Sequence, residues 1–153
     1  MTVLLAIDPG PDQSAFVRYD LETRAPVEWA KLPNDTLLTA IGAMEADELA
    51  IEMIASYGMP VGAETFDTCV WIGRMIERWA APGWMLVYRR EVKLHLCGNV
   101  RAKDGNVRQA LIDRYGGKAL AVGRKASPGP LYGISGDVWA ALGVAITADE
   151  TRR

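Results

Sequence analysis

Histidine and cysteine are nearly missing from these 153 residues. His95 is the only histidine, too few nitrogen ligands for a zinc enzyme. Cys69 and Cys97 cannot make a disulfide framework or a structural zinc site, and they read as reduced thiols of a cytoplasmic protein. No apolar run reaches the ~18 residues of a bilayer-spanning helix, so no membrane partner is expected. The opening Met1-Thr2-Val3-Leu4-Leu5-Ala6-Ile7 lacks a basic leader and runs straight into Asp8-Pro9-Gly10, so no signal peptide is expected. Repeats and low-complexity tracts are absent too. What is present is an ordinary globular composition, half hydrophobic and a quarter charged, sized for one domain over residues 1–153.

The net charge of −2 conceals an uneven distribution. From Arg89 to Lys125 ten basic residues face Glu91, Asp104 and Asp113, a local +7 that leaves −9 for the rest. Such asymmetry suits a polyanion-binding face on an otherwise acidic protein, or simply a pair of solvated helices.

Thr2 to Ile7 is an apolar run stopped by Asp-Pro-Gly, a buried strand. Ser14–Tyr19 alternates as a second strand. Val27–Leu32 alternates as a third, with Val27, Trp29 and Lys31 on one side. Short connections make these three an antiparallel meander. Asn34-Asp35 offers an N-cap for a helix to about Met44. Leu49–Ile54 is a fourth strand and Trp84–Tyr88 a fifth; between them Asp67 or Thr68 can cap a helix to about Trp79. The basic stretch holds two short helical patterns, broken at Gly98 and at Gly116-Gly117. A Gly/Pro loop covers residues 123–136, and an apolar helix runs from Asp137 to about Ala148. The order β-β-β-α-β-α-β-α-α predicts an α/β protein with a mixed five-stranded sheet flanked by helices.

Three carboxylates stand in unusual places. Asp8 closes the first strand, where open α/β sheets put their ligand sites, although Asp before Pro-Gly is also a natural turn residue. Glu52 interrupts an otherwise apolar central strand, a costly position unless it is paired, holds a metal or lies at the rim. Asp137 begins the last helix and could serve as no more than its N-cap. At one sheet edge together, they would repel and raise one another's pKa. Hard oxygen ligands of this kind suit Mg²⁺, with Mn²⁺ as the alternative, and two such ions can activate water and stabilise the leaving oxygen of a phosphodiester.

Leu5-Ala6-Ile7-Asp8-Pro9-Gly10, Ala50-Ile51-Glu52 and Gly136-Asp137-Val138-Trp139-Ala140-Ala141-Leu142 stand in the order and context of the RuvC-type Holliday-junction resolvases, and the chain resembles that family over nearly its whole length. Val92 to Gly98, followed by Ala102 to Val107, resembles the family's segment of DNA-contacting lysines. The stretch around Gly62-Ala63-Glu64-Thr65-Phe66 and the loop Pro128 to Gly133 look like the phage-type branch. The resemblance implies a ribonuclease H-like fold, a homodimer, and metal-dependent paired nicking of four-way DNA junctions, in a bacterial host's cytoplasm if phage-encoded. It matches Asp8, Glu52 and Asp137 to the metal-binding carboxylates and Lys93 to a lysine near the scissile phosphate. Lys103 falls one place from the family's next basic residue. Arg101, Arg108 and Lys125 join the DNA-binding set on charge alone, unless all these cations are merely solvated. The family's fourth ligand, three residues before the last Asp, is Ile134 here. Glu64 is a substitute or a solvated loop acid. Phe66 and Met53 could wedge against unpaired bases or pack in the core, and the tryptophans read as core or dimer interface.

Two other readings compete. An ATPase of the actin and sugar-kinase type also places Asp-x-Gly after its first strand, but it needs a second such domain, for which 153 residues leave no room. A dimer that grips branched DNA without cutting it is compatible with Ile134, yet gains nothing from a buried Glu52. A broader debranching nuclease acting on Y-forks and flaps is not separable from a strict resolvase by sequence.

Overall fold

Strand β1 (Val3–Asp8) is apolar at every position before its last residue because both of its faces are covered. In the computed structural model, which describes residues 1–152, it lies at the centre of a sheet ordered β3-β2-β1-β4-β5. β2 (Gln13–Asp20) and β3 (Ala25–Pro33) extend it antiparallel on one side. β4 (Glu48–Met53) and β5 (Trp84–Tyr88) extend it parallel on the other. The mixed five-stranded sheet is therefore the expected one.

Alternation along the strands sorts their side chains into two cores. Leu5, Ile7, Phe16, Leu49 and Ile51 meet Leu37 and Ile41 of α1 (Asn34–Ile41) and Ile72 and Met75 of α2 (Ala63–Arg78). Leu4, Ala6, Ala15, Val17, Ala50 and Val87 meet α6 (Val138–Thr151), with α3 (Arg89–Cys97) and α4 (Asp104–Arg114) behind it. Between Val138 and Ala148 only Ala140 escapes full burial, so α6 is apolar almost all round, as a helix packed on every side must be. Its start lies at the sheet edge where β1 and β4 end, which is what carries Asp137 toward Asp8.

Several boundaries differ from the sequence expectation. Helix α2 starts at Ala63, with extended Gly62 as its cap, and Thr68 donates back to the Glu64 carbonyl at 2.8 Å as a helix-interior residue. Glu64 consequently sits in the first turn of a helix and not in a loop. Helix α1 is capped at Pro33, and Asn34 turns inward instead. Four helices follow β5, one more than the two short patterns and the apolar helix expected, α5 (Lys118–Ala121) being a single turn. The Gly/Pro loop folds in part as a hairpin of β6 (Gly123–Arg124) and β7 (Ser127–Pro128), with Gly123 at φ 68°. No helix among the described residues is long and apolar enough to cross a membrane.

Candidate active site

The parallel register pairs Ile7 with Ile51, so the next residues, Asp8 and Glu52, leave the sheet side by side on the α6 face. Their carboxyl groups share a hydrogen bond. Burial, then the Glu52 charge and that hydrogen bond, push Asp8 up to about 9; the Asp137 charge adds to the rise and Arg89 opposes it. Burial raises Glu52 as well, against the hydrogen bond from Asp8 and the charges of Arg89 and Lys93. At neutral pH Asp8 thus keeps its proton, which the pair shares.

Asp137 caps α6 near enough to influence Asp8, but its Oδ2 accepts from Lys31 Nζ at 2.7 Å. Among the described residues no three His, Cys, Asp or Glu side chains form a ready-made metal-holding group. The structure therefore joins Asp8 to Glu52 and leaves Asp137 at the rim with a lysine partner. Two half-buried carboxylates whose repulsion is relieved by a shared proton are a donor set that fits one hard divalent cation, Mg²⁺ or Mn²⁺. Ile134 is buried in the apolar core, and exposed Glu64 belongs to no such group.

A buried polar network sets the turn after Asp8. Ser14 Oγ accepts from the Gly10 amide at 3.1 Å and donates to Asn34 Oδ1 at 2.6 Å, while Asn34 Nδ2 donates to the Gly10 carbonyl at 2.8 Å. Gly10 is required by space: a Cβ there would stand 2.4 Å from the Gln13 carbonyl oxygen. Asn34→Ala strands the Ser14 hydroxyl and the Gly10 carbonyl, and is expected to cost about 2–3 kcal/mol in urea unfolding. It should lower the activity of this site as well, by loosening Asp8.

Helix α3 begins directly after β5 and so places its cations at the same edge. Lys93 acts on the ionisation of Glu52. Arg89 Nη2 meets Asp104 Oδ1 at 2.5 Å, and its Nη1 is buried without a hydrogen-bond partner. Arg89, Arg90, Lys93, Tyr57 and Val100 line a cleft of about 350 Å³. Arg101, Lys103 and Arg108 are exposed on the neighbouring segment. The Lys103 amide donates to Asn106 Oδ1 at 2.9 Å, and the Arg108 guanidinium lies 5.3 Å from the Trp139 ring centre. Lys125 is farther along, at the turn of the β6–β7 hairpin; just after it the Leu131 amide donates to the Ala121 carbonyl of α5 at 2.8 Å. Phe66 is 63% exposed on α2, whereas Met53 packs against the core.

Arg89 and Lys31 are the site residues that sequence reasoning passed over. Arg89 counted only as one charge in the basic segment, although it directly follows a strand that ends at the carboxylate edge. Lys31 shared a strand side with Trp29, and a charge on an apolar side was the available signal.

No family model and no curated protein sequence matches the chain. Solved structures do. A structure of Thermus thermophilus RuvC aligns over 99% of this chain and 96% of its own, with a TM-score of 0.69 and 16% identity. Thermus thermophilus RuvC in complex with a Holliday junction substrate aligns over 96% of this chain and 92% of its own, with a TM-score of 0.66 and 15% identity. At such identity the likeness is one of architecture: the chain has the ribonuclease H-like fold of the RuvC structures over nearly its whole length.

Proposed function

We propose that the chain is a divalent-metal-dependent, structure-selective endonuclease that nicks branched DNA, with the four-way junction as its substrate. The observation that carries this reading is the half-buried Asp8–Glu52 pair at the carboxyl edge of the sheet, beside the cationic cleft of Arg89, Arg90 and Lys93. A catalytic machine for phosphodiesters needs that juxtaposition of metal-holding oxygens and phosphate-holding cations. The likeness in fold to a protein solved with a Holliday junction substrate supports the choice of DNA structure.

When bound, Mg²⁺ or Mn²⁺ supplies Lewis acidity at the phosphate and lowers the pKa of water. Asp8 and Glu52 hold the ion and must surrender their shared proton to do so. Lys93 steadies charge that develops on the phosphate oxygens. Arg101, Lys103 and Arg108 grip the flanking backbone, with Lys125 at the periphery; such contacts position DNA without reading its bases. Exposed Phe66 offers a ring on which an unpaired base at a crossover can stack. A C₂ homodimer would present two such sites to the two matching strands of a junction, giving paired nicks.

The test is cleavage of an immobile four-way junction beside a linear duplex and a Y-fork, in Mg²⁺, Mn²⁺ or EDTA. Ligatable nicks in opposing strands, absent in EDTA, are the expected result. Tight junction binding without cutting in either metal replaces this reading with the non-cutting binder. Equal cutting of the Y-fork keeps the chemistry and widens the substrate. Lys103→Glu is expected to weaken junction binding and to flatten its dependence on salt by about one unit of log–log slope. A fluorescence-anisotropy salt titration checks this, and an unchanged slope removes Lys103 from the interface.

A further inference from the structure

The charge balance of the site carries an inference that rests on the endonuclease reading. Asp8 stands opposite Ala15 on β2, and Ala15 stands opposite Lys31 on β3. Directly opposed residues of antiparallel strands share a face, so the three form one row on the α6 side. Only a methyl group lies between Asp8 and Lys31 in that row. From its end, the Lys31 ammonium reaches Asp137 at 2.7 Å across 106 residues of chain. The side chains of the two partners are 45% and 55% exposed, so the ion pair adds little to stability.

Its consequence is electrostatic. The position three residues before Asp137 is Ile134, buried in the core, and brings no further carboxylate to the site. Asp8, Glu52, Asp137, one ammonium and one divalent ion balance in charge. A second divalent ion would make the site positive even before Arg89 is considered, and it would have to displace Lys31 from Asp137. We propose that Lys31 is the built-in counter-cation of Asp137. It takes the neutralising part that a second ion would otherwise play, so each chain binds a single Mg²⁺ or Mn²⁺, at Asp8 and Glu52.

Mn²⁺ titration without DNA tests this, by calorimetry and by the electron paramagnetic resonance of free Mn²⁺. The wild-type chain is expected to take up one ion. Lys31→Met keeps the length of the side chain and removes its charge. It should admit a second ion, or bind Mn²⁺ roughly tenfold tighter, a coupling of ordinary size between neighbouring charges. Asp137→Asn added to Lys31→Met should cancel that gain, and Lys31→Arg should retain wild-type uptake. Two equivalent ions in the wild type overturn the assignment. So does an isotherm that Lys31→Met leaves unchanged while junction binding weakens, which would make Lys31 a DNA contact.

Junction cutting, measured separately, keeps the two readings apart. Cutting by a wild type that binds two ions removes the counter-cation role and leaves the endonuclease standing. Uptake of one ion that responds to Lys31→Met, without cutting of any branched DNA, does the reverse. No uptake by either protein overturns both.

Discussion

Asp8→Asn is expected to abolish the proposed junction cutting, by at least ~10³-fold, equivalent to about 4 kcal/mol of barrier, and yet to make the metal-free chain more stable. The two effects share a cause. In the wild type, folding places Asp8 against Glu52 in a buried setting that neither carboxylate would choose alone, and Asp8 keeps a proton well into the alkaline range to tolerate it. An asparagine of the same shape donates an N–H to Glu52 at every pH and carries no charge to desolvate. At neutral pH in EDTA the gain is expected to be on the order of 2 kcal/mol, or roughly 4–8 °C in Tm for a chain of this size. The same substitution removes a carboxylate oxygen from the place where the two half-buried acids meet, and with it a ligand of the proposed ion. Junction binding, which rests on the basic segment, should stay near the wild-type level in EDTA. If Asp8 were merely the turn residue that its Asp-Pro-Gly context allows, Asp8→Asn would lower stability and binding together. Melting curves in EDTA and gel-shift titrations with a labelled junction separate the cases. A stability cost accepted at the reacting centre is the usual mark of a functional group.

The same contrast explains what could be seen in the sequence. Asp8 and Glu52 stood out because each interrupts an apolar strand, and burial turns a carboxylate there into a question that demands an answer. The strands themselves followed from alternation and from the turn residues between them, and Trp84–Tyr88 was delimited to the residue. The sequence puts the start of α2 too late because Asp67 and Thr68 have the chemistry of an N-cap, whereas the cap used is Gly62, whose value is backbone freedom and not a side chain. The β6–β7 hairpin has two residues per strand, too short for any period to register. Asn34 looks like a cap in the sequence because it precedes a helical pattern; that it pins Gly10 depends on β3 ending beside the turn after β1, a fact of topology. Lys31 and Asp137 illustrate the limit most clearly. Each is locally conspicuous, Lys31 as a charge on an apolar strand side and Asp137 at the start of an apolar helix, but an ion pair between an edge strand and the last helix has no local signature. Only the sheet register, running from Asp8 through Ala15 to Lys31, brings the ammonium to the acids.

The largest effect of pH should therefore fall on the metal-free chain, and its sign follows from the pair. Asp8 titrates near its ordinary 3.8 when unfolded and at about 9 in the fold. Between those values the folded chain holds a proton that the unfolded chain has released, so stability declines as pH rises and levels off above about 9. Glu52, also raised by burial, steepens the decline. On the acid side the slope reverses. Hydrogen bonds from the Glu22 amide and the Thr23 hydroxyl hold Asp20 below its ordinary 3.8. For Glu150, burial pushes the other way, but bonds with His95 and Arg114 outweigh it and hold the group below 4.5. The stability these two supply is lost as pH falls below about 4. In EDTA the maximum should thus lie near pH 5, with a loss on the order of 3 kcal/mol by pH 9. Saturating Mg²⁺ is expected to cancel that loss, because the cation binds the ionised pair and stabilises the fold most where the proton is already gone. Urea unfolding at pH 5, 7 and 9, with EDTA and with Mg²⁺, measures all of this, and Asp8→Asn should flatten the EDTA series. A wild-type series already flat in EDTA would mean that the two carboxyls do not share a proton, and the donor set inferred for the metal would lose its physical basis. A decline that Mg²⁺ reverses would tie the cost of folding this site to the ion proposed for it.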